Sequence, residues 1–108
     1  MKRHFHFIGI GGVGMGTIAS LLMAKGHSVS GSDLKESEFT RKLRQEGAEI
    51  FIGHDAKHIG HAECVVFSSA IGRDNPELTS AYQKHLPVLQ RAQLLAELME
   101  NEKGITVA

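Results

Sequence analysis

Five glycines, Gly9, Gly11, Gly12, Gly14 and Gly16, fall within eight residues, directly after the apolar run HFHFI and at the start of a helix-forming segment. Backbone this unhindered at a strand-to-helix junction tolerates a tight turn and the close approach of another group. Gly9, Gly11 and Gly14 fit the spacing G-x-G-x-x-G. In that pattern the first glycine permits the turn, the second lets a ligand reach the backbone, and the third lets helix and strand pack closely. The helix that follows offers free N–H groups and the positive end of its dipole, so a phosphate or pyrophosphate is the expected occupant. The alternative is that the glycines serve the packing of turn and helix alone. Asp33, nineteen residues after Gly14, can accept hydrogen bonds from ribose hydroxyls or a base N–H, or cap the next helix. The fingerprint by itself suggests NAD, yet it equally admits another nucleotide diphosphate.

The rest of the chain alternates short β-branched and aromatic runs with longer helical patterns. HFHFIGI reads as a first strand, and VGMGTIASLLMAKG as a helix with Met15, Ile18, Ala19 and Leu22 on one face, stopped by Gly26. HSVSGSD is a second strand, ESEFTRKLRQEG a helix with Phe39 and Leu43 one turn apart, and AEIFIG a third strand. ECVVFSSA is nearly all apolar, as in a parallel strand covered on both faces. Asp74 or Asn75 caps the helix PELTSAYQKH, with Pro76 in its first turn. LPVLQ is a fifth strand, RAQLLAELMENEKG another helical segment, and ITVA the start of a further strand. This order predicts a Rossmann-like, doubly wound α/β domain of three layers, with a mostly parallel central sheet of about five strands and strand one at its centre. Ligands are expected at the carboxyl ends of the strands.

At 108 residues the chain is of ordinary single-domain size. Twelve Lys plus Arg balance twelve Asp plus Glu, so no net field draws it to nucleic acid or an anionic membrane, and neither is an expected partner. Any anion must be held locally. Cys64 is the sole cysteine, which excludes an internal disulfide and reads as a buried thiol in a reducing compartment. No apolar stretch approaches a membrane span, and MKRHFHF lacks a signal-peptide apolar region, so a soluble, cytoplasmic protein is expected. Among seven histidines, His54, His58 and His61 are spaced H-x3-H-x2-H. Two on one helical turn could chelate Zn or Ni, but no fourth ligand is evident and a short polar connection explains the composition equally well, so no metal is expected. His4 and His6, flanking Phe5, read as structural.

The stretches HFIGIGGVGMGTIA, GSD, VVFSSAIGRDNPEL and LPVLQRAQLLAELM, in this order and spacing, closely resemble the N-terminal domain of the Mur ligases. Within that family the resemblance is to the branch that adds L-alanine to the muramic acid carboxylate of UDP-N-acetylmuramic acid, and it runs from His4 to Ala108. It implies that residues 1–103 form a UDP-sugar-binding domain with the pyrophosphate over the glycine turn, and that residues 104–108 open a central ATP-binding domain. A UDP-sugar thereby replaces the NAD that the fingerprint suggested. Carried over residue by residue, Gly11, Gly12, Val13, Gly14, Met15 and Gly16 supply phosphate-facing backbone, and Ser32 with Asp33 faces the uridine. Ser68, Ser69, Ala70 and Ile71 line the same site from the end of strand four, the alternative being an ordinary strand-to-loop junction. His54 matches a sugar-nucleotide contact. Arg91 matches a family arginine at the start of the last helix, but Gln90 stands where many relatives are expected to carry a second basic residue. Two roles stay open for Arg91, a phosphate partner and a solvated helix-start arginine.

The family reaction makes an acyl phosphate from ATP and the muramic acid carboxylate, which the amine of L-alanine displaces; it depends on a G-x-x-x-x-G-K-[ST] loop and Mg2+. No such loop occurs in this sequence. The resemblance therefore implies the substrate-holding part of a peptidoglycan-precursor ligase, with no catalytic residue or cofactor of its own and inactive as an isolated fragment. ATP, Mg2+ and L-alanine are then engaged by the full-length enzyme, and KGITVA lies where relatives continue into their ATP-binding loop. Two alternatives stand beside it. One is an NAD-binding oxidoreductase or regulator domain; the other is the sister ligase that attaches a recycled murein tripeptide, against which SSAI and RAQLLAEL argue.

Overall fold

The computed structural model describes residues 3–12, 14–69, 71–91 and 93–94. Five strands, β1 (His4–Ile8), β2 (Ser28–Asp33), β3 (Glu49–Ile52), β4 (Cys64–Phe67) and β5 (Val88–Gln90), form one sheet in the order β3-β2-β1-β4-β5. Every pairing is parallel. Helices α1 (Met15–Ala24), α2 (Glu38–Glu46) and α3 (Pro76–Gln83) and a 3-10 turn (Ala56–Ile59) make the connections. The doubly wound α/β architecture with the first strand central is as the alternation predicts. Strand order reverses between β1 and β4, and such a reversal opens a crevice at the carboxyl ends of the two strands.

Period-two alternation along β1 splits the core. Phe5 and Phe7 face Met15, Ile18, Ala19 and Leu22 of α1, with Leu43 of α2 completing that side. Ile8 and Val65 face the other way, onto Ile59, Leu78 and Ala81. On that second face β1 carries His4 and His6, and the register pairs them with Ser28 and Ser30 of β2. A strand buried on both faces is normally apolar throughout, so this polar stripe must find its partners inside the protein.

Three local readings are refined. Leu43 is buried but Phe39, expected beside it, is 65% exposed. Thr40 takes the inner position because its hydroxyl and backbone close a reciprocal capping box with Ser37. Asn75, not Asp74, caps α3, its Oδ1 accepting the Glu77 N–H at 2.9 Å. The polar connection around His54 to His61 contains the 3-10 turn, pinned by the fully buried Ile59. Arg91, Gln93 and Leu94 are helical, whereas the rest of the last helix expected after them, and the strand expected at 105–108, lie outside the described residues.

Candidate functional site

β1 ends at Ile8 and the chain turns at Gly9, whose N–H, with that of Ile10, donates to the Ser32 carbonyl at 2.8 and 2.9 Å. The turn is thus tied to the end of β2. Gly11 N–H donates to Asp33 Oδ2 at 2.8 Å, and Leu34 N–H donates to Asp33 Oδ1 at 2.7 Å. A Cβ built at Gly11 would lie 2.8 Å from that same Oδ2. The second glycine of the pattern therefore admits the Asp33 carboxylate, in space the spacing assigns to a ligand. The cap of α2 is Ser37, so Asp33 does not have the capping role left open for it. Gly12 N–H donates to Gly9 O at 3.0 Å and Met15 N–H to Gly12 O at 3.1 Å. Of the backbone expected to face a phosphate, Gly11, Gly12 and Met15 consequently have internal partners, and the Met15 side chain is buried in the core. Val13 lies outside the described residues.

Gly14 caps α1 in a left-handed conformation, φ +78°, and brings no side chain to the helix N-terminus. A Cβ there would stand 3.0 Å from Arg91 Nη1 and 3.2 Å from Arg91 Cδ. The third glycine is required by its backbone conformation and by this arginine, where the pattern implied helix–strand packing. The Arg91 guanidinium thereby stands at the positive end of α1, and among the described residues no carboxylate pairs with it. A planar bidentate donor beside an open helix N-terminus is an environment for an oxyanion.

On the other flank, a Cβ at Gly9 would meet Ile71 Cδ1 at 3.2 Å and Ser68 Oγ at 3.6 Å, so the loop after β4 abuts the glycine turn. Ser69 and Ile71 border a cavity of about 520 Å3 with Arg73 and Gln90 at the carboxyl ends of β4 and β5. Ala70 lies outside the described residues. A second cavity, about 280 Å3, runs from Gly11, Gly12, Gly14 and Gly16 to Phe39 and Lys42 between α1 and α2.

Beneath this rim lies a residue the sequence reading passed over. Glu77, in the first turn of α3, is fully buried and accepts hydrogen bonds on both oxygens. His6 Nε2 lies 2.5 Å and Ser32 Oγ 2.7 Å from Oε1; His58 Nδ1 lies 2.8 Å and the Asp55 N–H nitrogen 3.0 Å from Oε2. Burial alone pushes this carboxyl up, but hydrogen bonds from His6, Ser32 and His58, with the His6 charge, outweigh it and hold the group down at about 2. His54 Nδ1 is 2.8 Å from Ser32 Oγ and 3.5 Å from Glu77 Oε2. Ser32 is therefore a buried link between Glu77 and His54, and its hydroxyl does not face the open rim as the resemblance implied. His6 continues the file through Ser30 to His4 and Ser28. Burial, then the neighbouring His6, lowers the His4 pKa. His58 is held by stacking on Phe51, ring centroids 4.1 Å apart. Among the described residues no cluster of three or more His, Cys, Asp or Glu is placed to hold a metal. No helix among them is long and apolar enough to cross a membrane.

Comparison with known proteins identifies relatives of this chain and of its fold. The chain is 52% identical over 106 residues to a UDP-N-acetylmuramate–L-alanine ligase of Psychrobacter sp. (strain PRwf-1), covering 98% of this chain and 22% of that protein. The crystal structure of a UDP-N-acetylmuramate-alanine ligase, MurC, from Thermotoga maritima superposes with TM-score 0.90 at 34% identity, covering 94% of this chain and 24% of that one. A murein peptide ligase from Psychrobacter arcticus superposes with TM-score 0.81 at 32% identity, over 88% of this chain and 20% of that one. The chain thus spans less than a quarter of the length of these relatives. Residues 4–103 match the family model described as Mur ligase family, catalytic domain, and the chain belongs to that family.

Proposed function

We propose that residues 1–103 bind the uridine diphosphate part of UDP-N-acetylmuramic acid at the crevice between β1 and β4, and so hold the muramic acid carboxylate for ATP-dependent ligation to L-alanine. The observation that carries this reading is the Arg91 guanidinium set against Gly14, where α1 opens without a side-chain cap. That pair supplies two positive elements for a diphosphate. Asp33 and His54 flank it at the end of β2, and Ser68 and Ile71 flank it at the end of β4. The relatives' names supply the substrate class: the Psychrobacter and Thermotoga proteins are ligases of UDP-N-acetylmuramate and alanine.

On this reading the domain contributes positioning. Uridine contacts remote from the reacting carboxylate provide binding energy that restrains the carboxylate in place. The chain has no G-x-x-x-x-G-K-[ST] loop and no metal-holding cluster among its described residues, so its residues do not fit ATP or Mg2+. On the family resemblance, ATP and Mg2+ are engaged by the full-length enzyme and not by this domain. Calorimetric titration tests the reading: UDP and UDP-N-acetylmuramic acid should bind, and NAD at equal concentration should give no comparable heat. Tighter binding of NAD would contradict it.

A further inference from the structure

We propose that Glu77 is a positioning residue of this site: acting with Ser32, it fixes His54 in the tautomer protonated on Nδ1 and so presents Nε2 as a hydrogen-bond acceptor at the carboxyl end of β2. The identity of the ligand rests on the uridine diphosphate reading above, whereas the tautomer does not.

The assignment follows from counting protons. An ionised carboxylate only accepts, and a serine hydroxyl has one proton to give. Ser32 Oγ lies 2.7 Å from Glu77 Oε1 and 2.8 Å from His54 Nδ1. Were the hydroxyl proton directed at His54, two oxygens would face each other at 2.7 Å with none between them, one bearing negative charge. The proton therefore goes to Glu77, and His54 Nδ1 must bring the proton of its own contact with Ser32. Glu77 Oε2, 3.5 Å from the same nitrogen, favours that proton further. A neutral imidazole protonated on Nδ1 carries its lone pair on Nε2.

That lone pair is accessible. Every buried side-chain nitrogen and oxygen among the described residues has a partner, and His54 Nε2 bonds to none of those residues. It therefore reaches solvent. The loop bearing it is latched on two sides: Gly53 N–H donates to Asp33 O at 2.7 Å, while the Asp55 N–H and His58 Nδ1 bond Glu77 Oε2. One buried carboxylate thus sets the height of residues 54–58 against the end of β2. An acceptor at this point selects a ligand offering an N–H or O–H, which the imide of a uracil or a ribose hydroxyl provides.

The test is nitrogen-15 NMR of the histidine rings in the 108-residue chain above the pH of imidazole titration. Long-range proton–nitrogen correlations identify which ring nitrogen carries the proton, with no ligand present. In the wild type His54 is expected protonated on Nδ1. Ser32→Ala and Glu77→Gln should each shift it toward the Nε2-protonated form and weaken UDP binding by about tenfold, the lower end of the loss seen when groups that orient a metal-ligating histidine are removed. Ser32→Ala carries the test if Glu77→Gln fails to fold. His54 protonated on Nε2 in the wild type, a tautomer unmoved in the variants, or UDP affinity unmoved while the tautomer changes would each overturn the proposal. Failure of the wild type to bind UDP, with His54 protonated on Nδ1, would remove the ligand reading and leave the tautomer assignment standing.

Discussion

Asp33 Oδ2 accepts the Gly11 N–H at 2.8 Å, so the carboxylate at the end of β2 is a structural tie of the glycine turn as well as a flank of the crevice. Each oxygen keeps a second acceptor direction beyond its N–H bond. Asp33→Ala leaves the Gly11 and Leu34 N–H groups without this partner and should cost about 1–2 kcal/mol, a fall in Tm of several degrees. Asp33→Asn retains one acceptor oxygen and should lose less stability while still weakening UDP binding. Thermal melts of both variants check this; a wild-type Tm for Asp33→Ala would mean that the bond does not hold the turn.

Two glycines in the same stretch should respond in opposite directions. Gly14→Ala places a Cβ in a left-handed conformation and against Arg91, costing about 1–2 kcal/mol for the conformation alone. Gly16 is the second residue of α1, in its first turn, where an added Cβ would make an ordinary 3.6 Å contact with Leu43. Gly16→Ala should therefore raise stability, by less than the ~0.5–1 kcal/mol that helix propensity gives at a mid-helix position. Urea denaturation of the pair measures the difference.

Arg91 should act on ligand affinity with little effect on folding. Arg91→Ala removes a guanidinium that has no carboxylate partner among the described residues, so stability should stay within about 0.5 kcal/mol of wild type. UDP affinity should drop about tenfold, the usual scale of a charge-assisted hydrogen bond. Added salt should weaken UDP binding less in this variant than in the wild type. Calorimetry at two ionic strengths reads both effects.

The Glu77 carboxyl, held at about 2 against an ordinary 4.5, ties stability to acid pH. A depressed carboxyl binds its proton more weakly in the folded chain than in the unfolded one, so its stabilisation is fully present above 4.5 and is lost as pH falls toward 2. The displacement corresponds to about 3 kcal/mol. Wild type should lose stability more steeply across this window than Glu77→Gln, whose residue 77 does not titrate. Parallel curves from denaturant titrations at stepped pH would show that the buried carboxylate is not coupled to folding in this way.

What the sequence made legible follows from the range of each interaction. The order of strands and helices rests on local periodicity, and the fully buried Met15, Ala19 and Leu22 lie on the face that spacing assigns to the core. Neither reading of the glycine pattern, ligand approach or the packing of turn and helix, identifies its internal partners. Asp33 at Gly11 and Arg91 at Gly14 come from 22 and 77 positions away in the chain. Glu77 was missed because an acid just after Pro76 looks like an ordinary first-turn residue. A signal for it did exist: histidines at positions 4 and 6 and serines at 28, 30 and 32 put a polar stripe on strands otherwise read as interior. A buried stripe of donors requires a buried acceptor, and fixing which acid fills that role needs the tertiary fold, since His6 and Glu77 are 71 residues apart.

The central claim, a diphosphate seated where α1 opens and a uridine beside Asp33, is tested most directly by mapping amide NMR shifts on addition of UDP. The largest shifts should fall on Gly11 to Gly16, Asp33 and His54, with the Arg91 side chain moving alongside and NAD at equal concentration producing little change. Shifts that cluster elsewhere, or larger ones with NAD than with UDP, would contradict the account.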